Sequence, residues 1–454
     1  MTKKIADITI IGGGPGGYVA GPLAKSKGLD VVCIEKEVLG GVCLKWGCMP
    51  TKSLVSVSRC IDMVKRSSIY GLEVEGYKLD FPKIMERCRK HVKMLEDGCV
   101  NKFKKLGIDL IMGTGSIKDE NTVRVVTNEC KSLEIESRYI IVDTGSQSVE
   151  IPPMRFSEEG IIDHKGALSM DELPRSILII GGGTMGCEFA NLFSNFGVKV
   201  TIVELLPRML NIVDNDVWEV LQRDFQSRGI EMISGEKIVN FNKNGSGFKC
   251  RLSSGKRIDA QKILLTAGRK PNSDGIGLKE NSVKLSDYGH ILVDRYLQTS
   301  VPSIYALGDV IGGNLAHVAR REGEVVIDNI MGNRKAMDYR VVPWVIYTNI
   351  EIAGVGINET EAKRKGIPYK VAKSPFKSNG KAMVSDETEG FVKILIDEQS
   401  RTILGSQIIG VGASDLINEI CLAMQSNIKI DDISEMIHAH PTLGETVLKV
   451  TQSL

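Results

Sequence analysis

The chain has 454 residues, of which 42% are hydrophobic and 25% are charged, so it is long enough for about two to four domains with cores of their own. Its 58 basic and 56 acidic residues leave a net charge of +2, which excludes the strongly basic surface that nucleic-acid binding requires. The apolar runs are far shorter than the roughly 20 residues of a membrane span, so neither nucleic acid nor a membrane is an expected partner.

The first residues, MTKKIADITIIGGG, enter a strand-like run almost at once and leave no room for an apolar signal segment. We therefore expect a cytoplasmic protein in a bacterium, or a protein of the mitochondrial matrix in a eukaryote after removal of a presequence. The ten cysteines are scattered singly apart from Cys43 and Cys48, so the chain is not a secreted disulfide framework.

Residues 8–17, ITIIGGGPGG, predict a buried β-strand that runs into a glycine-rich turn and then a helix. The glycines follow the G-x-G-x-x-G pattern: Gly12, Gly14 and Gly17. In that pattern one glycine makes the turn, the next lets backbone amides approach a diphosphate, and the third lets the helix pack on the strand. The positive N-terminal end of the helix then faces the phosphates. A second strand, residues 31–35, ends in Glu35, which is placed to accept hydrogen bonds from a ribose.

The same pattern returns at residues 176–190, SILIIGGGTMGCEFA. Its glycines are Gly181, Gly183 and Gly186. The next strand ends in Glu204, at the same spacing from the last glycine as Glu35 in the first copy. Two copies in the same order predict two dinucleotide sites, which we call the first and second cradles. Because a carboxylate at Glu204 repels a 2′-phosphate, we expect the second cradle to prefer NAD to NADP.

Cys43 and Cys48 lie in the segment LGGVCLKWGCMPTK, residues 39–52, and four roles are open: metal ligands, a structural disulfide, a redox pair or two inert thiols. Zinc is disfavoured because no second pair of ligands appears at a matching spacing, so we predict no metal. In a regular helix, residues i and i+5 lie roughly 8–9 Å apart, too far for a disulfide. A bridged pair therefore needs an irregular turn, which Gly47 permits, and Pro50 suits the start of a helix from about Met49. Cysteines at a helix start have a lowered pKa, which favours the redox role.

Together with the two cradles, GGVCLKWGCMPTK is similar to the flavin-dependent pyridine nucleotide-disulfide oxidoreductases, and within them to the dihydrolipoyl dehydrogenases, over essentially the whole chain. The resemblance implies that the first cradle binds FAD and that the second binds NAD. It also implies that Cys48 is the charge-transfer thiol beside the flavin ring and that Cys43 is the interchange thiol that meets the substrate. Lys52 would lie by the flavin, paired with Glu188 of the second unit.

Three further segments resemble this family. IIVDTGS, residues 140–146, resembles the strand that leaves the FAD unit, although Asp143 replaces the small residue more usual there. GRKPN, residues 268–272, resembles the return from the NAD unit, and YALGD, residues 305–309, resembles the segment whose acid, here Asp309, holds the ribityl chain of the flavin. The implied FAD contacts are Gly12, Gly14, Gly17, Glu35, Lys52, Gly115, Thr144, Gly145, Asp309 and Ala316. The implied NAD contacts are Gly181, Gly183, Gly186, Glu188, Glu204 and Gly268.

Near the C-terminus, HAHPTLGET contains a histidine and an acid that form a general-base pair if Pro441 turns the chain. These residues are His440 and Glu445, and the family's His-Pro-Thr segment matches them. We predict that they are catalytic, whereas His438 is expected to be structural. In the resembling family this histidine reaches the disulfide of the other subunit, so the resemblance implies a homodimer.

We predict an α/β fold with two Rossmann-like dinucleotide-binding domains and a C-terminal α+β dimerisation domain. The expected boundaries are residues 1–147 for the FAD-binding domain, 148–270 for the NAD-binding domain, 271–338 for a central domain that completes the FAD site, and 339–454 for the dimer interface domain.

The implied activity is that of a dihydrolipoyl dehydrogenase, which oxidises protein-bound dihydrolipoamide to lipoamide with NAD⁺ as acceptor through the disulfide of Cys43 and Cys48. The implied partners are the lipoyl domains of acyltransferase subunits in 2-oxo acid dehydrogenase complexes, or a glycine cleavage system. Two alternatives stay open. One is an NAD(P)H-dependent reductase of another small disulfide or of Hg(II), and the other is a mainly structural subunit of a multienzyme complex.

Overall fold

The computed structural model describes residues 2–245, 247–313 and 315–454. The N-terminal unit is built on strands rich in isoleucine and valine, of which Val31–Glu35 is buried throughout, as is typical of a sheet covered on both faces. A 3₁₀ helix, Ser67–Tyr70, follows the third α-helix. The elements of this unit in chain order are β1 (Thr2–Ile11), α1 (Gly17–Ser26), β2 (Val31–Glu35), α2 (Gly41–Trp46), α3 (Cys48–Lys65), α4 (Phe81–Leu106), β3 (Asp109–Asp119), β4 (Thr122–Thr127), β5 (Ser132–Val142) and β6 (Ser146–Ser148).

The first sheet has β3, β2, β1 and β5 side by side in parallel, in that order. β4 pairs antiparallel with β3 and with β5. Parallel strands bring their carboxyl ends to one edge of the sheet, where open α/β sheets bind their ligands. Gly12, Glu35 and Asp143 follow or end three neighbouring strands and therefore meet at this edge.

The second unit repeats the arrangement. Its elements are β7 (Ile161–Ile162), α5 (His164–Leu168), β8 (Ser176–Ile180), α6 (Thr184–Asn195), β9 (Lys199–Glu204), α7 (Asn215–Ser227), β10 (Glu231–Ser234), β11 (Ile238–Asn244), β12 (Gly247–Leu252), β13 (Arg257–Ala260), β14 (Lys262–Leu265) and β15 (Arg269–Pro271). A parallel sheet runs in the order β10, β9, β8, β14, β7, and β11 to β13 form an antiparallel meander. β15 pairs with β6, so the chain enters and leaves the second unit through one two-stranded ribbon.

After the ribbon the chain returns to the first sheet. β16 (Ile304–Ala306) pairs in parallel with β5, a 3₁₀ helix covers Gly308–Ile311, and α8 (Ala316–Ile330) packs on α1. This return brings residues after position 300 to the edge of the sheet that carries the first cradle.

The C-terminal domain is an antiparallel sheet with helices packed on it. Its elements are β17 (Trp344–Ile346), β18 (Ile352–Gly356), α9 (Glu359–Lys365), β19 (Tyr369–Pro375), α10 (Gly380–Val384), β20 (Phe391–Asp397), β21 (Ile403–Ile409), α11 (Ala413–Gln425), α12 (Ile430–Ser434) and α13 (Glu445–Thr451), with a 3₁₀ helix at Phe376–Ser378. The strands lie in the order β17, β18, β21, β20, β19. α11 packs on β18 and β21, and α13 packs on β19 and β20.

The hydrophobic core links α3 of the first unit to α6 of the second. Leu54 and Ile61 of α3 belong to the same buried cluster as Phe189 and Phe193 of α6. This packing fixes the start of α3, where Cys48 stands, against the second unit. Within the described residues, the helices include none that is both long and apolar enough to cross a membrane.

The predicted fold class, with two Rossmann-like units followed by an α+β dimerisation domain, is confirmed. The four domain boundaries, 1–147, 148–270, 271–338 and 339–454, stay a prediction.

Candidate redox site and dinucleotide cradles

In the first cradle, the glycine-rich turn is hydrogen-bonded to Glu35, the acid at the end of β2. The N–H of Gly13 donates to Oε2 of Glu35 at 2.7 Å, and the N–H of Glu37 donates to its Oε1 at the same distance. Gly12 has a φ of +104°, and a Cβ there would lie 2.1 Å from the carbonyl oxygen of Asp143, so only glycine fits. The predicted glycine-rich turn is therefore present, with a buried carboxylate beside it.

The second cradle has the same construction. The N–H of Gly182 donates to Oε2 of Glu204 at 2.6 Å. A Cβ on Gly186 would lie 1.9 Å from the carbonyl oxygen of Gly181, which requires glycine where α6 packs on the turn. A Cβ on Gly183 would meet no atom within 4 Å, so the N-terminus of α6 faces open space. Both cradles fit a dinucleotide: each combines a glycine turn, a helix N-terminus and an acid at the ribose position.

The two cradles differ in one side chain at the end of the neighbouring strand. Asp143 follows β5 and Thr266 follows β14, and the N–H of each donates to the last residue of the adjacent strand, Ile11 or Ile180, at 2.8 Å. The threonine hydroxyl donates to main-chain carbonyls of the second turn. In the first cradle the same position carries a carboxyl group.

Residues of the ribbon hold the segment that leaves the first unit. Oγ1 of Thr144 donates to the carbonyl of Asn272 at 2.8 Å, and the side-chain amide of Asn272 donates back to the carbonyl of Thr144 at 2.9 Å. Gly145 has a φ of +71° and Gly268 a φ of +120°, so each marks a turn at one end of the ribbon. The sequence alone indicated no role for Asn272, although this residue lies in the segment GRKPN.

Asp309 lies at the ribbon and is anchored there. Its Oδ2 accepts a hydrogen bond from Oγ of Ser146 at 2.5 Å and lies 3.8 Å from Nε of Arg269. Nε of Arg269 also donates to Oγ of Ser146 at 2.7 Å. Ser146 and Arg269 are therefore supporting residues that the sequence did not reveal, because only the pairing of β6 with β15 brings them together.

Gly115 and Ala316 also lie around the first unit. Gly115 is in β3, where a Cβ would come within 3.1 Å of the Ile34 side chain, so the strand is tightly packed at this point. Ala316 is the first residue of α8. The FAD contacts predicted for these two residues stay predictions.

The cysteine pair sits where two helices meet. α2 ends at Trp46 and α3 begins at Cys48, so Gly47 interrupts the helix and the predicted irregular turn is confirmed. Both cysteines are free thiols, and a hydrogen bond joins them. That bond lowers the pKa of Cys48 and raises the pKa of Cys43, whereas burial raises the pKa of both thiols. Negative charge on the reduced pair therefore belongs on Cys48.

An ion pair borders Cys48. Nζ of Lys52 lies 3.2 Å from Oε1 and 3.1 Å from Oε2 of Glu188, so the predicted pairing is confirmed. Oε1 of Glu188 also accepts the N–H of Tyr347 at 2.9 Å, and Nζ of Lys52 lies 4.1 Å from the centroid of the Tyr347 ring. Tyr347 carried no signal in the sequence, because it reaches this site from the C-terminal domain. The contacts of Lys52 and Glu188 with cofactors stay predictions.

His440 and Glu445 form the predicted pair. Nδ1 of His440 lies 3.0 Å from Oε1 of Glu445, whose Oε2 accepts the N–H of Thr442 at 2.9 Å. The hydrogen bond from His440, followed by that from Thr442, lowers the pKa of Glu445. The imidazole of His440 is 80% exposed, whereas the side chain of His438 is only 6% exposed and bonds to Glu419. The imidazole of His440 is thus exposed at the surface of the chain and is held in place by the carboxylate of Glu445.

The dyad and the cysteine pair lie on different parts of one chain. α13, which begins at Glu445, packs on β19, β20 and α12, whereas α2 and α3 pack on each other and on α4, α5 or α6. In the part of the chain that the structure describes, the side-chain hydrogen bonds of His440 and Glu445 stay within the segment 440–445. The exposed imidazole is therefore open to contact with another molecule.

Two dinucleotide cradles with a hydrogen-bonded cysteine pair beside a Lys–Glu ion pair define a nucleotide-dependent disulfide oxidoreductase. The family model for pyridine nucleotide-disulphide oxidoreductases matches residues 6–323, and the model for the dimerisation domain of these enzymes matches residues 342–451. The chain belongs to the pyridine nucleotide-disulphide oxidoreductase family, as predicted, and its dimerisation domain supports a homodimer.

Similar proteins cover nearly the whole chain. The dihydrolipoyl dehydrogenase of Geobacillus stearothermophilus is 37% identical over 98% of this chain and 95% of its own length. The dihydrolipoamide dehydrogenase of Chaetomium thermophilum is 36% identical over 98% of this chain and 90% of its own. Among solved structures, LpdA from Mycobacterium tuberculosis has a TM-score of 0.93 at 24% identity, covering 100% of this chain and 99% of its own, and shows the same fold. The Cu(II) complex of RclA, an HOCl-induced flavoprotein disulfide reductase from Escherichia coli, has a TM-score of 0.90 at 25% identity and full coverage of both chains.

Proposed function

We propose that the chain is a dihydrolipoyl dehydrogenase, an FAD-dependent enzyme that oxidises protein-bound dihydrolipoamide to lipoamide with NAD⁺ as electron acceptor. The observation that carries the proposal is the hydrogen-bonded pair of Cys43 and Cys48, in which the pKa of Cys48 is lowered. Relatives of 34–37% identity that bear this name support the choice of substrate. The carboxylate of Glu204 in the second cradle supports NAD rather than NADP.

The chain's residues would hold both cofactors at the N-termini of α1 and α6. Bound FAD would supply a carrier for two electrons between the dithiol and NAD⁺. The residues that we propose for FAD are Gly12, Gly14, Gly17, Glu35, Lys52, Gly115, Thr144, Gly145, Asp309 and Ala316. Those that we propose for NAD are Gly181, Gly183, Gly186, Glu188, Glu204 and Gly268.

The first chemical step transfers a proton and breaks the disulfide. His440 takes the proton of one substrate thiol, while Glu445 orients the imidazole and stabilises its positive charge. The substrate thiolate attacks the sulfur of Cys43 in the oxidised pair, and the S–S bond breaks with its electron pair on Cys48. The lowered pKa of Cys48 makes it the better leaving group.

The second step releases lipoamide. The other substrate thiol attacks the substrate sulfur of the mixed disulfide, so that the sulfur of Cys43 leaves with the electron pair and takes the proton held by His440. The neutral His440 then takes the proton of the attacking thiol, so that one substrate proton ends on Cys43 and the other on His440. The substrate is oxidised by two electrons and the cysteine pair is reduced by two. The product state has the proton on Cys43 and the charge on Cys48, which is the distribution that the pKa shifts of the free thiols favour.

We propose further that each active site is shared between the two chains of the homodimer, with His440 of one chain serving the cysteine pair of the other. The separation of the dyad from its own cysteine pair supports this arrangement. The proposed partners are the lipoyl domains of acyltransferase subunits in 2-oxo acid dehydrogenase complexes. The proposed location is the bacterial cytoplasm or, in a eukaryote, the mitochondrial matrix.

The test is reduction of NAD⁺ by dihydrolipoamide with the purified, FAD-loaded protein. NADP⁺ serves as the parallel acceptor, and Cys48→Ser serves as the inactive control. We expect activity with NAD⁺ that is lost in the variant. A folded, flavin-loaded wild type that reduces no NAD⁺ contradicts the substrate assignment and leads to other small disulfides as oxidants of NADH.

A further inference from the structure

Asp143 occupies the first cradle where α1 begins. Its Oδ2 accepts a hydrogen bond from the N–H of Gly17 at 2.7 Å, and its side chain is buried, with 5% of the residue exposed. The carboxyl oxygens also lie 3.0 Å from the Cβ position built on Gly14 and 2.8 Å from that built on Gly308. The group therefore fills the space between the glycine-rich turn and the 3₁₀ helix at Gly308–Ile311.

The corresponding residue of the second cradle shows that this position does not require an acid. Thr266 occupies it there, and its hydroxyl donates to the carbonyls of Ile180 and Gly181 at 3.0 and 2.9 Å. Both residues make the same main-chain bond of 2.8 Å to the adjacent strand. The carboxyl group is thus a property of the first cradle alone.

The charged groups that act most on Asp143 are acidic. β2 contributes the carboxylate of Glu35 and the thiol of Cys33, the 3₁₀ helix contributes Asp309, and α8 contributes Glu322. α1 contributes only the N–H of Gly17. Among the described residues, the ion pairs include none with Asp143. Burial, followed by the charges of Asp309, Glu322 and Glu35, raises the pKa of Asp143 well above its usual value, although the bond from Gly17 opposes this.

The N-terminus of α1 is the anion site of the first cradle, and FAD would bring a diphosphate with two negative charges to it. An ionised Asp143 competes for the same positive helix end and repels the diphosphate. A protonated carboxyl group has no charge to repel it and offers an O–H donor as well. We propose that Asp143 holds a proton when the first cradle binds FAD, so that flavin binding takes up one proton and weakens as the pH rises. This inference rests on the proposed function, because it takes FAD as the ligand of that cradle.

The direction in which FAD affinity changes with pH follows from the linkage between FAD binding and the protonation of Asp143. The diphosphate raises the pKa of Asp143 in the complex above its value in the free protein, so binding is tightest when the free protein is already protonated. Between the two pKa values, FAD affinity falls by up to about tenfold for each pH unit, and outside that window it is constant.

The experiment measures the Kd of FAD for the apoprotein by flavin fluorescence from about pH 6 to about pH 9. Asp143→Thr introduces the residue of the second cradle, Asp143→Asn keeps the shape and an acceptor for Gly17, and Asp287→Asn removes an exposed carboxylate elsewhere as the charge-matched control. We expect the Kd of the wild type and of the control to rise at least about tenfold over this range, and both Asp143 variants to show no such rise. Parallel pH profiles of the wild type and of Asp143→Asn overturn the proposal.

A second measurement needs no variant. Calorimetric titration of wild-type apoprotein with FAD, in buffers of different ionisation enthalpy, gives the number of protons taken up. We expect an uptake of about one proton inside the window where the Kd changes. FAD binding with no proton uptake at any pH overturns the inference about Asp143 and leaves the proposed function intact, whereas failure of FAD to bind at any pH overturns both.

Discussion

Nζ of Lys52 lies 3.1 Å from Oε2 of Glu188, and this ion pair joins α3 to α6 beside the cysteine pair. Lys52 stands one helical turn after Cys48. The two charges act on Cys48 with opposite signs: after the hydrogen bond from Cys43 and burial, the ammonium of Lys52 lowers its pKa and the carboxylate of Glu188 raises it. The charge on the reduced pair is therefore tuned by a contact between two domains.

Replacing either partner should move the pKa of Cys48 in a defined direction. Lys52→Met removes the positive charge and should raise that pKa, whereas Glu188→Gln removes the negative charge and should lower it. The measurement is the rate of Cys48 alkylation against pH in the reduced protein, read by peptide mass spectrometry because the chain has ten cysteines. Lys45→Met is the control, since Lys45 contacts Trp46 and is not among the groups that act on Cys48. Shifts of the same sign in both variants would contradict this account.

Replacing His440 should affect turnover rather than folding, because its side chain is exposed. His440→Gln should lower kcat by about 10²–10⁴-fold, the usual contribution of a positioned general base. Glu445→Gln keeps an acceptor for Thr442 but loses the charge that stabilises the imidazolium, so we expect a smaller loss than for His440→Gln. Steady-state kinetics with dihydrolipoamide measure both effects. A kcat for His440→Gln close to that of the wild type would remove this residue from the mechanism.

The local parts of the site could be predicted from the sequence because short patterns determine them. A glycine turn between a strand and a helix has few conformations, so Gly12 and Gly181 follow directly from the G-x-G-x-x-G pattern. Gly47 likewise predicted the break between α2 and α3. The supporting residues that the sequence did not reveal depend on how distant strands pair. Ser146 and Arg269 meet only because β6 pairs with β15, and no pattern along the chain encodes that pairing.

The protonation of Asp143 could not be predicted from the sequence for a different reason. Its departure from the family pattern was visible, but its consequence was not, because Glu322 and Asp309 reach it from segments more than 160 positions away. Burial and the summed charge of distant acids determine its protonation. Such an environment exists only after β16 and α8 have returned to the first sheet.

Hybrid dimers test the shared active site. In a dimer of one Cys48→Ser chain and one His440→Gln chain, a site shared between subunits leaves one centre with both defects and one centre intact. We therefore expect about half of the wild-type activity per dimer, since one of the two centres works. Differently tagged chains, co-expressed and purified over both tags, give the hybrid, and each homodimeric variant is the control. An inactive hybrid would mean that the dyad serves the cysteine pair of its own chain.

A buried lysine links the second unit to the C-terminal domain. Nζ of Lys393 lies 2.7 Å from Asp214, 2.8 Å from Asp216 and 3.1 Å from Glu359, and its side chain is 2% exposed. Burial lowers the pKa of Lys393, but the hydrogen bonds with Asp214 and Asp216, together with the charges of these two acids, raise it overall. A raised pKa means that the stabilisation is complete below the ordinary lysine pKa of about 10.4 and is lost only as the pH rises through the raised value.

Lys393→Met should therefore destabilise the protein strongly at neutral pH. The substitution leaves the buried carboxylate of Asp214 without its cationic partner, which costs about 3–5 kcal/mol of unfolding free energy. The matched control is Lys373→Met, because Lys373 also pairs with Asp216, at 3.2 Å, but its side chain is 48% exposed. An exposed pair contributes about 0–1 kcal/mol, so the control should unfold near the wild-type urea concentration. Equal urea midpoints for the two variants would show that burial of Lys393 does not strengthen its contribution.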